Sequence, residues 1–480
     1  MHDKYEMTIG IECHVQLNTT SKLFSGADND ARDKEPNMAT SPIDFGLPGM
    51  LPVLNKEAVT LAIKAGKALN AAIAPVSRFD RKHYFYPDLP KGYQISQMYQ
   101  PIILAGHVDV PMLDGSSVKV RIHHAHLEED AGKLTHYGSY SLVDLNRAGT
   151  PLIEIVSEPD IHSATAAKAF AVELHRLMTY AGVTLGDLYH GNMRFDVNIS
   201  VALKGATELG RRAEVKNLNS FRSVEKAAEY EFQRQVALLE KGEVVVQETR
   251  GWDDASGRTS SQRSKENAQD YRYMPDADIP PIVLTESEIE AIQSTVPALP
   301  SVYRESWQSL QLDQSVVDAL LAKQSYAVLV LAIQTTYGDD AARKVAHWFA
   351  SAVTTGEEEA AVIASNFSPE AYAELATMVQ KNELSSTAAK DVFSELLTSS
   401  ETARSIAERR NLLQVSDESA VLAIVDDVLA DPVSAQSIAD IAAGHDKALG
   451  YLVGQVMKRS AGKANPALAG KLLRERLAAK

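Results

Sequence analysis

Val143-Asp-Leu-Asn-Arg-Ala-Gly-Thr-Pro-Leu-Ile-Glu-Ile-Val156 is the stretch around which the chain is organised. Asp144, Asn146 and Arg147 lead into the breakers Gly149 and Pro151, and Leu152 to Val156 then reads as a buried strand with one carboxylate at its centre. A carboxylate between large aliphatic residues is costly to desolvate unless a cation, a metal ion or hydrogen bonds receive it. Glu154 therefore predicts a partner. A Glu–Arg pair inside the core meets that requirement as well as a functional cation does, since ion-pair networks also bury carboxylates.

The same pattern recurs on either side. In Thr8 to Leu17, Ile9, Ile11, Cys13, Val15 and Leu17 fall on one face of a strand, and Glu12, His14 and Gln16 on the other. From Val118 to Lys133, alternation sets Val118, Val120 and Ile122 on one face and continues it to His124, His126 and Glu128, with Lys119, Arg121, His123 and Glu129 opposite. That phase turns Glu128 towards the inner face. In Gly191 to Val201, Met193, Phe195, Val197, Ile199 and Val201 face a core, and Arg194, Asp196, Asn198 and Ser200 form a polar face; Glu214 and Lys216 share a face of the next strand. One such polar face is ordinarily solvated. Repeated across strands, it describes an antiparallel sheet with one side on a core and the other lining a groove.

Between these strands lie helices. Asn55 caps one with the stripe Val59, Ala62, Ile63, Gly66 and Leu69, Ser163 caps another with Phe170, Leu174 and Leu177, and a long one runs from about Ser223 to Lys241. In Arg81 to Tyr93, aromatics and cations interleave with prolines, a mixture that suits a base or phosphates as well as a packed loop. Residues 251–281 read as one long polar loop, and Pro297 and Pro300 mark a boundary. Beyond it strand patterns give way to Ala/Leu/Glu-rich helices.

The net charge of −15 argues against indiscriminate polyanion binding, so nucleic acid requires a local patch. From His445 to Lys480, eight Lys/Arg stand against two acids, a balance of +6 in an otherwise acidic chain. The single Cys13 excludes an internal disulfide and a CxxC metal knuckle. With no run of about 18 apolar residues and no basic-then-apolar N-terminus, the expected location is the cytoplasm.

The residues alone thus nominate Glu12, His14, Glu128, Glu154, Asp196 and Glu214: carboxylates and one imidazole, a donor set for Mg²⁺ or Mn²⁺ rather than structural zinc. Gly10 to Leu17, His126 to Lys133, Leu142 to Val156, Gly191 to Val201, Glu214 to Phe221, Asp270 to Pro275, Leu452 to Lys458 and Gly462 to Pro466 resemble, in order, the B-subunit family of the aspartyl/glutamyl-tRNA(Asn/Gln) amidotransferases. The resemblance implies an α+β chain: an antiparallel-sheet cradle domain over 1–292, an all-helical domain over 293–405 and a small helical Yqey-type tail over 406–480 that contacts tRNA. It implies ATP- and Mg²⁺-dependent activation of the side-chain carboxylate of Glu-tRNA(Gln) or Asp-tRNA(Asn), followed by amidation. It further implies an amidase A subunit that releases ammonia and a small C subunit, the three chains forming a heterotrimer. Carried onto this sequence, it makes Glu12, His14, Glu128, Glu154, Asp196 and Glu214 the metal and phosphate cluster. Catalytic parts fall to Glu128, Arg147 and Glu154, nucleotide binding to Lys133 and Lys216, and tRNA contacts to Lys458, Arg459 and Lys463. Leu145, Phe195, Met274, Asp276 and Ala277 depart from the family's usual residues. Cys13, on the apolar face of its strand, is a poor nucleophile for a glutaminase.

Overall fold

The structure, a computed structural model, describes residues 4–264, 270–355, 368–414, 418–442, 447–460 and 462–478. His445, Asp446 and Lys480 of the basic tail, and residues 265–269, lie outside that set. The chain divides into two compact units, Met1–Pro300 and Ser301–Lys480.

The strands of the first unit are β1 (Tyr5–Gln16), β2 (Val76–Ser77), β3 (Asp80–His83), β4 (Tyr93–Ser96), β5 (Gly106–Pro111), β6 (Ser117–Glu129), β7 (Lys133–Tyr137) and β8 (Tyr140–Asp144). They continue with β9 (Pro151–Ser157), β10 (Met193–Leu203), β11 (Ala213–Leu218), β12 (Glu248–Asp253), β13 (Arg258–Ser264), β14 (Met274–Pro275) and β15 (Ile282–Val283). Eight of them form one sheet in the order β13-β12-β11-β10-β1-β9-β6-β5. The central strand is β1, antiparallel to β10 on one side and β9 on the other. Its Ile9, Ile11, Cys13 and Val15 are at most 1% exposed, and Ile153, Ile155, Phe195, Val197 and Ile199 extend the same buried layer.

Helices α1 (Lys56–Ala68), α2 (Ala164–Tyr180), α3 (Phe221–Glu240) and α4 (Glu286–Gln293) belong to this unit. Phe170, Leu174, Val224 and Ala227 from α2 and α3 join the core beneath the sheet. Asn55 and Ser163 cap as the sequence expects, their side chains accepting from the backbone of Glu57 and Ala166, and Ser220 caps α3 by accepting from Ser223. Because helices occupy one face, the other is left open, and the polar residues of each strand point into it.

Three expectations are corrected. The sheet is mixed, because β11 and β12 run parallel; α3 supplies the crossover that parallel neighbours need, and side-chain alternation carries no information on strand direction. The stretch 251–281 is not one structureless loop: β12 and β13 form an antiparallel hairpin, and β14 pairs with β3. The third concerns the phase of β6. A register shift between Ile122 and His124 inserts one extra residue against β9. Ala125 and Leu127 therefore enter the core with Val120 and Ile122, and His126 and Glu128 turn to the opposite, open face.

Past the boundary the described residues are helical: α5 (Pro300–Ser306), α6 (Gln314–Leu320), α7 (Gln324–Tyr337), α8 (Asp339–Thr355), α9 (Pro369–Gln380), α10 (Ser386–Leu396) and α11 (Ala403–Arg409). Then come α12 (Glu418–Ala430), α13 (Ala435–Ala442), α14 (Ala448–Arg459) and α15 (Pro466–Ala478). Phe349 packs with Tyr326, Tyr372 and Phe393 at ring distances of 4.6, 5.3 and 5.0 Å. Val421, Val425, Leu452, Val456, Leu472 and Leu473 form a separate apolar cluster among the last helices. Among the described residues no single helix is long and apolar enough to cross a membrane.

Candidate functional site

Strand register assembles the site in two rows across the open face. In one, His126 of β6 is opposite Glu154 of β9, Glu154 opposite His14 of β1, and His14 opposite Arg194 of β10. In the other, His124 is opposite Val156, Val156 opposite Glu12, and Glu12 opposite Asp196. Glu214 enters from β11, where it lies opposite Asn198. Glu12, His14, Glu154, Arg194 and Asp196 of these rows, with Glu128 and Glu214, line a cavity of about 1040 Å³, walled by Lys82, Tyr84, Asp130, Lys216 and Tyr271 among others.

All six nominated ligands meet there, in two groups: His14, Glu128 and Glu154, and Glu12, Asp196 and Glu214, with potential ligand atoms within 4.8 Å of one another in each. His14 Nε2 is 3.5 Å from Glu128 and 3.8 Å from Glu154. The partner that Glu154 required is therefore imidazole: His126 Nε2 lies 3.3 Å from Glu154 and 3.7 Å from Glu128. Burial disfavours the charged imidazole, but hydrogen bonds and charge from Glu128 and Glu154 overcome it and push His126 up to about 10. Burial likewise disfavours ionised Glu154, yet His126 beside it, with His14 and Lys82, holds it well below the usual carboxylate range. Next in line, His124 stacks on His126 at 5.2 Å and is pushed down to about 4 by burial and by His126 and His123.

The second group is neutralised differently. Lys216 Nζ reaches Asp196 at 2.8 Å and Glu214 at 3.1 Å. Burial works against the ammonium, but these two carboxylates hold its proton more firmly than usual. Asn198 donates to Glu12 at 2.9 Å and Thr249 to Glu214 at 2.8 Å. Glu12 is raised by burial first and then by Glu154, Glu214 and Asp196, as a carboxylate crowded by others must be.

Two expected contributors stand elsewhere. Lys133 opens β7 with an exposed side chain, and neither it nor Arg147 is among the described residues lining the cavity. Arg147 acts one layer out: its guanidinium donates to the carbonyls of Ala131 and Gly132 at 3.0 and 2.9 Å and approaches Asp130 at 3.4 Å. Asp130 also accepts from Arg194 at 2.8 Å. Arg147 thus positions the turn that carries Asp130 and Ala131 into the cavity wall. The sequence reading missed Lys82, Tyr84 and Tyr271. The first two lie in the cation–aromatic segment already noted, but β3 spans four residues, too few for alternation to reveal its facing. Cys13 is fully buried with its thiol pushed up by burial, consistent with a packing role.

In the tail, Lys458 and Arg459 are exposed and Lys463 is half-buried. Arg459 pairs with Asp431 and donates to the Asp427 carbonyl, Arg476 pairs with Asp426, and Lys471 with Glu475. Lys447, Lys458, Lys463 and Arg474 have no carboxylate within ion-pair range among the described residues.

Residues 7–290 match the model of the GatB/GatE catalytic domain, and residues 332–477 that of the GatB domain. Among curated relatives, the Persephonella marina protein is 43% identical over 477 residues, 99% of this chain and 100% of the relative. Its counterpart in Polynucleobacter asymbioticus is 45% identical over 493 residues, with 99% and 100% covered. That of Synechococcus sp. (strain JA-3-3Ab) is 44% identical over 487, with 99% and 98% covered. Each is named as the B subunit of an aspartyl/glutamyl-tRNA(Asn/Gln) amidotransferase, one chain of a multi-subunit enzyme. With the catalytic-domain match spanning the unit that builds the two carboxylate groups, and relatives aligned end to end, the chain belongs to the B-subunit family of the aspartyl/glutamyl-tRNA(Asn/Gln) amidotransferases.

Proposed function

We propose that this chain activates the side-chain carboxylate of Glu-tRNA(Gln) or Asp-tRNA(Asn) with ATP and passes it to ammonia, giving Gln-tRNA(Gln) or Asn-tRNA(Asn). The observation that carries the proposal is the pair of carboxylate-rich groups facing one cavity from adjacent rows of one sheet. Five carboxylates, one imidazole and no thiolate fit a hard divalent cation such as Mg²⁺. His14, Glu128 and Glu154, and Glu12, Asp196 and Glu214, would hold it, and Mg²⁺ when bound neutralises triphosphate oxygens.

In the first step a carboxylate oxygen attacks the γ-phosphorus, the bond from that phosphorus to the β,γ-bridging oxygen breaks, and ADP leaves. In the second, ammonia attacks the acyl carbon and the carbon–oxygen bond to phosphate breaks. Phosphate departs with that electron pair and takes up the proton the nitrogen loses. Such chemistry asks for positioning and charge neutralisation more than covalent help. The sheet register fixes Glu12, His14 and Glu154 relative to one another, Lys216 and His126 give each carboxylate group an internal counter-charge, and Arg147 fixes the wall at Asp130.

Ammonia comes, in this reading, from an amidase A subunit joined through a small C subunit. Lys458 and Lys463, which have no carboxylate in ion-pair range among the described residues, contact the tRNA backbone, with Arg459, shared with Asp431, in a lesser part. We place the helical middle at 293–405 and the Yqey-type tail at 406–480. The test is ADP release by this chain assembled with its A and C partners, given ATP, Mg²⁺, glutamine and either misacylated or uncharged tRNA. ADP formed only with Glu-tRNA(Gln) or Asp-tRNA(Asn) is the expected result, and the responding tRNA identifies the substrate. ADP release indifferent to the aminoacyl group would instead mark a phosphohydrolase, and none at all a tRNA-binding scaffold.

A further inference from the structure

Among the described residues three Lys/Arg side chains line the cavity: Lys82, Arg194 and Lys216. Arg194 is committed to Asp130 at 2.8 Å and Lys216 to Asp196 and Glu214. Lys82 has no carboxylate within 4.0 Å among the described residues, and its ammonium sits 4.9 Å from the centre of the Tyr271 ring. The neighbouring residue shows the contrast. Arg81 turns to the other side of β3, donates to Asp276 and Asp278 at 2.7 and 2.6 Å, and lies over Tyr93 at 4.4 Å.

Lys82 is held in place from both sides of its strand. β3 pairs with β4, and β14 pairs with Arg81 and Asp80. His83 N–H donates to the Tyr271 carbonyl at 2.8 Å, which seats the tyrosine whose ring faces the ammonium. The ring covers one side of the ammonium and leaves its three N–H donors with no hydrogen-bonded anion. Glu128 and Glu154, beyond ion-pair range, supply the field that keeps it charged against burial. A positioned, half-buried ammonium with open donors thus stands at the Glu128 and Glu154 end of the cavity, the chemistry that suits an anion.

We propose that Lys82 is a catalytic residue that donates to a non-bridging oxygen of the phosphoryl group as it passes from the γ-position of ATP to the substrate carboxylate and leaves as phosphate. This rests on the carboxylate-activating reading above. Charge builds on that group when its bond to the acyl carbon breaks, so the ammonium acts on the transition states more than on bound ATP.

The experiment uses the full assembly with its partner subunits and compares the parent with Lys82→Met, Lys82→Gln and Lys82→Arg. It reads ADP and amide formation with misacylated tRNA, and verifies folding by circular dichroism and co-purification. Loss of one such donor predicts a kcat lower by about 100-fold in the Met and Gln variants. The KM for ATP should stay within about threefold, and Lys82→Arg should recover part of the rate. A kcat within about threefold of the parent in a folded Met or Gln variant overturns the proposal. So does a defect confined to the KM for ATP, which would make Lys82 a grip on the nucleotide alone. A parent assembly with no response to misacylated tRNA sinks the carboxylate-activating reading first, and the role of Lys82 with it.

Discussion

One half of the cavity carries two carboxylates and the other three, and the two neutralise them by different means. The group of His14, Glu128 and Glu154 is balanced by His126, an imidazole that titrates. The group of Glu12, Asp196 and Glu214 is balanced by Lys216, whose proton is held tightly. One side can therefore surrender its internal counter-charge within an accessible pH range, and the other cannot. A buried carboxylate cluster needs some cation, and the choice of cation decides how the cluster responds to its surroundings.

The largest expected effect breaks the first half outright. Glu128→Gln removes a carboxylate from the His14 group and should lower misacylated-tRNA-dependent ADP formation by about a thousandfold. A loss of tenfold or less, roughly, would mean that Glu128 is structural. Asp196→Asn, which also releases Lys216 from one partner, should cost about a hundredfold; equal losses in the two variants would erase the asymmetry.

The pH response sharpens the same contrast. His126 in the folded chain is raised to about 10, above its ordinary value, so its contribution to stability is fully present below about pH 6.5 and is lost as pH rises towards 10. In protein stripped of divalent ions by a chelator, the melting-temperature gap between parent and His126→Gln should shrink by roughly half or more from pH 6 to pH 10. For Lys216→Met the gap should stay flat over that range, because the Lys216 proton is held beyond the ordinary lysine value. A flat His126→Gln profile would contradict the protonated imidazole.

Arg147→Ala should reduce turnover by about tenfold and stability by about 1–2 kcal/mol, since two carbonyls of the Asp130 turn lose their donor. Lys133→Ala, at an exposed position, should change both by less than about twofold and 0.5 kcal/mol. Equal effects would restore Lys133 to the site. The smallest effect lies in the tail. Lys458→Ala with Lys463→Ala should lower the salt slope of tRNA affinity by about 2, and Arg459→Ala by less than 1, because Arg459 already spends its charge on Asp431. A larger change with Arg459→Ala would reverse that ranking.

Much of this site was legible in the sequence because β-alternation is a local property. Ile9 to Leu17 and Met193 to Val201 declared their faces residue by residue, and all six nominated ligands share the cavity. What escaped was non-local. The one-residue shift at Ile122–His124 depends on how β6 pairs with β9, so strict alternation put Glu128 with Val120 when it belongs opposite. The parallel pairing of β11 and β12 depends on where α3 returns the chain. Lys82 depends on a two-residue strand, Met274–Pro275, reaching β3 from far along the sequence. Lys133, close to Glu128 in sequence, was carried away by the hairpin it opens.

Glu12 and His14 belong to different carboxylate groups yet stand two residues apart on the same strand. The spacing between the two groups is therefore a backbone constant, about 6.5 Å for one full pleat repeat, set by peptide geometry rather than by any side-chain contact. β1 works as a ruler: loops around the cavity can drift in sequence and length without changing the interval at which charge is presented. What such a ruler measures is the ligand, because only positive charge presented at a matching interval meets both carboxylate groups at once.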